Sequence, residues 1–185
     1  MNKNADTVLL LGALSLFIYS LSKNNAVRQI INTAAGDIMS TVNSISDYGK
    51  KLVEGFESLS LTKYWDFKGY SIGWGHFIKE GETIPESITP EFADQLLGQD
   101  LQIAQDTINK LVSVPLTQNQ FDALTSFVYN EGVGHFSTST LLKMLNAGDY
   151  TGASNQFDKW IIAGGDVNQT LVTRRQAEKD LFNTV

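Results

Sequence analysis

The sequence predicts an α+β chain that is mostly α, with a small β-hairpin among helices and an apolar helix ahead of them. Three observations predict it. From Glu91 onward, every segment between glycine, proline and serine breaks reads as helix. One short stretch, Tyr64 to Trp74, is dense in aromatic residues around Lys68-Gly69 and is the one clear strand signal. A nearly continuous apolar run, VLLLGALSLFIYSL, fills Val8 to Leu21.

The 185 residues are 42% apolar and 18% charged, the balance of a globular chain. No cysteine is present, which excludes disulfides, thiolate metal sites and a cysteine nucleophile. The net charge of -6 is uneven. Residues 52–185 carry nine basic side chains against seventeen acidic ones. No basic stripe exists to displace phosphate counterions, so nucleic acid is excluded as the ligand.

In chain order, residues 1–23 form a hydrophobic segment whose apolar part, residues 7–22, is shorter than the roughly 20 residues of a bilayer span. It reads as a signal-anchor-like membrane segment, with a cleaved leader and a buried helix as the other readings. Residues 24–46 continue as an amphipathic helical stalk. Val27, Ile30, Ile31, Ala34, Ile38, Val42 and Ile45 recur at steps of three and four, and a stripe extending to residue 48 suits self-association or docking on other virion proteins, with a helix packed on its own domain as the other reading. A domain over 47–185 follows. Ser46-Asp47 caps a helix that runs to Glu54 and breaks at Gly55. Ser58–Lys63 reads as loop, and the hairpin pairs Tyr64–Phe67 with Tyr70–Trp74. Thr89-Pro90-Glu91 is a helix start, a threonine cap followed by proline in the first turn. Helices are predicted over Glu91–Asn109, Gln118–Tyr129, Ser139–Ala147, Thr151–Trp160 and Val172–Phe182.

The chemistry concentrates between Glu54 and His76. Glu54 lies beside Val53 and Phe56, and apolar surroundings hold a carboxyl protonated to higher pH. Asp66 follows on the hairpin, with Ser71 across the turn. A protonated carboxyl facing an ionised one across a cleft is what glycoside hydrolysis needs. By composition alone, two acids near a glycine turn are a weak signal.

Glu54-Gly55, Asp66 and Ser71-Ile72-Gly73-Trp74-Gly75-His76 together resemble the Glu–Asp–Thr signature of the phage-type lysozymes, the muramidases of glycoside hydrolase family 24. Gln120–Leu124, Phe127–Asn130, Ser139–Leu142, Leu145–Tyr150, Phe157–Trp160, Gly164-Gly165 and Arg174–Glu178 resemble the same family in the same order. The resemblance covers Asp47 to Phe182. It implies a two-lobed lysozyme-like fold, a small sheet lobe and a helical lobe enclosing a peptidoglycan cleft. The implied activity is hydrolysis of the β-1,4 bond between N-acetylmuramic acid and N-acetylglucosamine, for phage lysis or virion entry. Such an enzyme works outside the cytoplasm, anchored in the inner membrane or carried in the virion. A lytic transglycosylase and a non-catalytic lysozyme-like module are the alternatives.

The resemblance implies a role for each site residue. Glu54 is the general acid, Asp66 activates the attacking water, and Ser71 stands where the family usually has threonine and hydrogen-bonds that water. Tyr70, Trp74, Asn130 and Arg174 are the candidate substrate-binding residues, with Arg174 approaching the catalytic glutamate. The Glu54–Asp66 gap exceeds the family's usual one by about three residues, which makes Glu57 the rival acid; Glu131 is a lesser one. His76 is expected to pair with Asp100 structurally. No second ligand stands at metal spacing from His76, and neither a metal nor a cofactor is expected.

Overall fold

The computed structural model describes residues 44–66 and 69–184. The chain divides into two units, Met1–Thr41 and Val42–Val185, and the described residues belong to the second. The apolar run 7–22, residues 24–43 of the expected stalk, and the hairpin turn residues Phe67 and Lys68 lie outside the described residues.

The first helix, α1 (Asp47–Phe56), starts where the sequence places it. The Ser46 side chain accepts from the Gly49 amide, which satisfies a free N–H of the first turn. The helix does not stop at Gly55; it ends at Phe56, and Glu57 is its C-cap. A three-stranded antiparallel sheet follows, with β1 (Ser60–Asp66), β2 (Gly69–Gly73) and β3 (His76–Phe77) in that order. Tyr64 pairs with Ser71, Trp65 with Tyr70 and Asp66 with Gly69, after an irregularity between Ser60 and Tyr64.

The loop expected at Ser58–Lys63 is therefore largely strand. The reason is tertiary. The outer edge of β1 is held by the segment before α2, through Ile88 N–H to Leu61 O at 2.9 Å and Lys63 N–H to Glu86 O at 3.1 Å. Ser-Leu-Thr-Lys carries no alternation that would announce this.

The helical part comprises α2 (Pro90–Leu111), α3 (Gln118–Glu131), α4 (Val133–Thr138), α5 (Thr140–Asn146), α6 (Tyr150–Gln156) and α7 (Gln169–Asn183). Thr89 caps α2 with proline in its first turn, as expected, and Thr117 with Gln120 forms a reciprocal capping box on α3. The helix expected over Thr151–Trp160 is split into α6 and a 3-10 turn at Phe157–Lys159. Two features carried too little pattern to be foreseen. These are the one-and-a-half turns of α4 and the hairpin of β4 (Ile162–Ala163) and β5 (Asp166–Val167). The hairpin turns at Gly164 and Gly165, with φ of 62° and 94°.

Two parts of the core position the site. In the helical lobe Phe127 meets Phe136, Phe157 and Trp160 edge-on, with ring centres 5.3 to 6.4 Å apart. Where α1, α2 and α3 converge, buried Val53, Leu97 and Leu101 pack with Ile45, Trp74 and Tyr129. A cleft of about 430 Å³ opens between the sheet and the helices, with Gly75, Phe77 and Lys79 on one wall and Asp100, Ile103, Tyr129 and Val133 among the residues of the other.

Candidate active site

Glu57 is placed by the end of α1. Its amide closes the helix on Val53 O at 3.2 Å and Glu54 O at 3.3 Å. Its own backbone is extended, at φ -105° and ψ 144°, so its side chain leaves the helix path. One carboxylate oxygen accepts from Arg174 Nη1 at 2.5 Å. The other faces the β2–β3 turn so closely that a Cβ at Gly75 would lie 3.5 Å from it. Gly75 has φ of 96°, so both conformation and space favour glycine there.

Glu54 sits one turn earlier and makes a different contact. It pairs with Lys50 of the same helix at 3.6 Å, an i,i+4 arrangement between two half-buried side chains.

Asp66 ends β1 and is exposed. Strand alternation puts Asp66, Tyr64 and the cross-strand Ser71 on one face. Ser71 is fully buried, and its hydroxyl has no hydrogen bond of ordinary geometry among the described residues. The Tyr64 phenol interacts with it, the weakest of four influences on that ring. Burial pushes the Tyr64 phenol up first, and the charges of Asp66 and Glu57 add to this, so the ring lies within the field of both acids. Tyr129 donates to Trp74 O at 2.7 Å. Its phenol is raised strongly, by burial and then by Glu57 and Asp100.

Arg174 is 3% exposed. Besides Glu57, its Nε donates to Glu178 Oε1 at 3.2 Å, its Nη2 to Ser126 O at 3.3 Å, and its guanidinium lies 5.5 Å from the Phe56 ring centre.

This acid–arginine–acid arrangement occurs in a chain with clear relatives. Residues 54–178 match the family model described as Phage lysozyme. The chain belongs to the phage lysozyme family. It is 43% identical over 144 residues to the endolysin of Bacillus phage B103, covering 76% of this chain and 54% of that protein. The chain thus spans about half the length of that relative. It is 32% identical over 157 residues to the SAR-endolysin of Enterobacteria phage PA-2, covering 84% and 94%. Among solved structures, the muramidase domain of SpmX from Asticaccaulis excentricus superposes with a TM-score of 0.70 at 38% identity, over 77% of this chain and 99% of that one.

Within this member of the phage lysozyme family the expected site residues divide. Arg174 does approach a glutamate from the last helix, but the partner is Glu57, not Glu54. The reading of Glu54 rests on Glu54-Gly55 ending a helix and on extra residues in a loop at Ser58–Lys63; the helix runs on to Phe56, and Ser60–Lys63 is strand. Tyr70 leaves the sheet on the face opposite Ser71, where it packs edge-on against Trp65 at 5.3 Å. Trp74 is half-buried against the Val53–Leu97–Leu101 cluster, and its indole donates to Asp94 at 2.9 Å. Asn130 is engaged as the acceptor of a short hydrogen bond from Arg175. Glu131 lies 3.5 Å from Arg175 Nη2 and 3.6 Å from His135, away from the Glu57 carboxylate's contacts.

Tyr64, Tyr129 and Glu178 were not foreseen. The Glu57–Asp66 spacing was the available signal for Glu57 as the partner of Arg174; tyrosines within helices and strands carried none. His76 pairs with Asp100 as expected, Nδ1 to Oδ2 at 2.8 Å, and also with Glu82 at 3.1 Å. Among the described residues, no group of three or more histidine and acidic side chains could hold a metal ion.

Proposed function

We propose that the chain is a peptidoglycan hydrolase of phage lysis that cleaves the β-1,4 bond between N-acetylmuramic acid and N-acetylglucosamine, with Glu57 as general acid. The observation that carries the reading is the placement of Glu57: one oxygen is fixed by a buried arginine and the other turned to the glycine wall of the cleft. A carboxyl so held can protonate a glycosidic oxygen presented at that wall. Asp66, exposed at the end of β1, takes the attacking water from the other side of the sugar ring, as an inverting mechanism requires. Ser71 is sealed behind the sheet face, so its part is to support this water site rather than to meet solvent directly. The B103 and PA-2 relatives are named endolysins, and the SpmX domain a muramidase, which supports peptidoglycan as the substrate.

Full-length protein incubated with purified peptidoglycan should release new reducing ends. Glu57→Gln should abolish release, and Glu54→Gln should leave it within about threefold, since a surface i,i+4 pair contributes only tenths of a kcal/mol. Full activity in Glu57→Gln would return the role to Glu54. Products ending in anhydro-muramic acid, with no reducing ends, would assign the transglycosylase reaction instead.

We infer further that residues 7–22 anchor the enzyme in the inner membrane facing the periplasm, since its relatives include SAR-endolysins. No helix among the described residues is long and apolar enough to cross a membrane. The intact chain should sediment with membranes, and a variant lacking residues 7–22 should not. Equal soluble recovery of both would remove the anchor.

A further inference from the structure

Beneath the acid lies a polar network that the proposed chemistry leaves unused. Glu178 is 0% exposed, a carboxylate in the interior of α7. Its Oε1 accepts from Ser126 Oγ at 2.7 Å and from Arg174 Nε at 3.2 Å. Its Oε2 lies 2.8 Å from Arg175 Nη1. Arg174, clamped on its Nε edge by Glu178, points Nη1 at Glu57. The order is carboxylate, guanidinium, carboxylate, the first buried and the last half-buried against Gly75, a residue of the cleft wall.

Sequestering an arginine and a glutamate is expensive unless each is fully partnered. A single Arg174–Glu57 pair would need no second buried acid. A lone buried cation against Glu57 would also favour the ionised form of that carboxyl, the form that cannot donate a proton. Glu178 alters both points. It fixes the guanidinium by its Nε edge, leaving one orientation for Nη1. Burial pushes the Glu178 carboxyl up, against the pull of the Arg175 and Arg174 charges and of the Ser126 and Arg174 hydrogen bonds; in its ionised form it offsets the cation.

We propose that Glu178 is a positioning residue for the general acid, holding Arg174 side-on so that the arginine orients the Glu57 carboxyl without locking it as a carboxylate. The inference rests on the reading of Glu57 as the acid. The groups facing the network are known from each packed element. Ser126 comes from α3 and Arg174 and Arg175 from α7. Tyr64 of β1 and Tyr129 of α3 lie in the field of Glu57, and Asp66 of β1 in that of Tyr64. Arg175 is itself occupied by Asn130, by Glu131 at 3.5 Å and by the Phe127 ring at 4.9 Å, so it cannot swing over to replace Arg174 at Glu57.

The test is the pH profile of kcat/KM for peptidoglycan cleavage by the full chain, whose alkaline limb reports loss of the acid's proton. In Glu178→Gln, with the offsetting charge gone, that limb should move to lower pH by roughly half a unit to one unit, as expected for a nearby charge. Ser126→Ala, which keeps the charge and loses one hydrogen bond, should lower thermal stability and leave the limb in place. A Glu178→Gln profile reduced in height but unmoved, or moved to higher pH, overturns the proposal, because a purely structural role predicts the first and release of Arg174 the second. If that variant does not fold, carboxyl carbon NMR of Glu178 in the unaltered protein decides: it should be ionised throughout the active range, and a protonated Glu178 there overturns the proposal. Lysis by Glu57→Gln would instead remove the underlying reading, a separate outcome.

Discussion

At the scale of single residues, Glu54 and Glu57 differ in the contacts their positions allow. Both are glutamates three positions apart on an amphipathic segment. Glu54 is within the helix and pairs with Lys50; Glu57 is the first residue past it, with extended backbone, and reaches Arg174 on the far end of the chain. The two acids of the proposed reaction also differ in what their surroundings permit. Asp66 is exposed, whereas Ser71 is sealed at 0% exposure. Asp66→Asn should therefore lower kcat by about 10²- to 10⁴-fold, the usual loss of an acid–base partner, and Ser71→Ala by no more than about tenfold. Steady-state kinetics on soluble peptidoglycan fragments would measure both, and an equal loss in the two variants would place Ser71 directly on the water.

At the scale of elements, α1 delivers Glu57, and the seat of α1 on α3 is made by one residue without a side chain. A Cβ on Gly49 would fall 2.6 Å from Asp122 Cγ and 2.7 Å from Ile45 Cγ1. Asp122 is only 1% exposed and cannot simply move aside. It accepts from the Ser46 amide at 2.9 Å and from Gln118 Nε2 at 2.8 Å, and makes a short hydrogen bond with the Ser46 hydroxyl. Gly49→Ala gains roughly 1 kcal/mol of helix propensity but meets an overpacking penalty of about 1–3 kcal/mol and disturbs a satisfied buried carboxylate. A net loss of about 1–2 kcal/mol is expected in urea unfolding. A stabilised Gly49→Ala would mean that α1 can shift on α3 freely.

The same element scale explains what was legible. The caps of α1 and α2 are local hydrogen bonds between residues at most three apart, and Ser46 and Thr89 could be read directly; the equally local cap of α3 at Thr117 was not among the expectations. The first half of β1 could not, because its pairing partners lie around Glu86 and Ile88, and nothing in Ser-Leu-Thr-Lys encodes them.

At the scale of the whole molecule, the sheet and the helices are tied by His76, 4% exposed on β3, between Asp100 of α2 and Glu82 of the connecting loop. The hydrogen bond to Asp100 raises the His76 pKa most, against the lowering effect of burial, with the Asp100 and Glu82 charges adding to the rise. A group whose folded pKa is raised stabilises the fold fully below its unfolded value, near 6.5, and that contribution disappears as pH rises through the folded value. Glu82 runs the other way. The Lys79 amide lowers its pKa, with His76 adding to this, so its contribution is present above the unfolded glutamate value and lost as pH falls through the folded one. Denaturant midpoints should therefore decline from pH 6 to pH 8 in the unaltered chain and stay flatter in His76→Gln. Parallel curves would show that His76 contributes no charge to the fold.

The sequence by itself determined the starts of the first two helices and the hairpin strands around Tyr64 and Gly73, which follow from capping chemistry and periodicity between neighbours along the chain. The order of its motifs carried the resemblance to the family, and that resemblance implied the His76–Asp100 pair and a site of two acids, a hydroxyl and an arginine. Tertiary structure alone decided which glutamate meets Arg174. It also turned Tyr70 away from the site face, placed Trp74 against the core, sealed Ser71, and set Glu178 behind the arginine. The Trp74–Asp94, Ser126–Glu178 and Glu57–Arg174 contacts behind three of these join residues 20, 52 and 117 positions apart. A carboxylate's role follows from the charges and walls it meets there, and local sequence does not specify those.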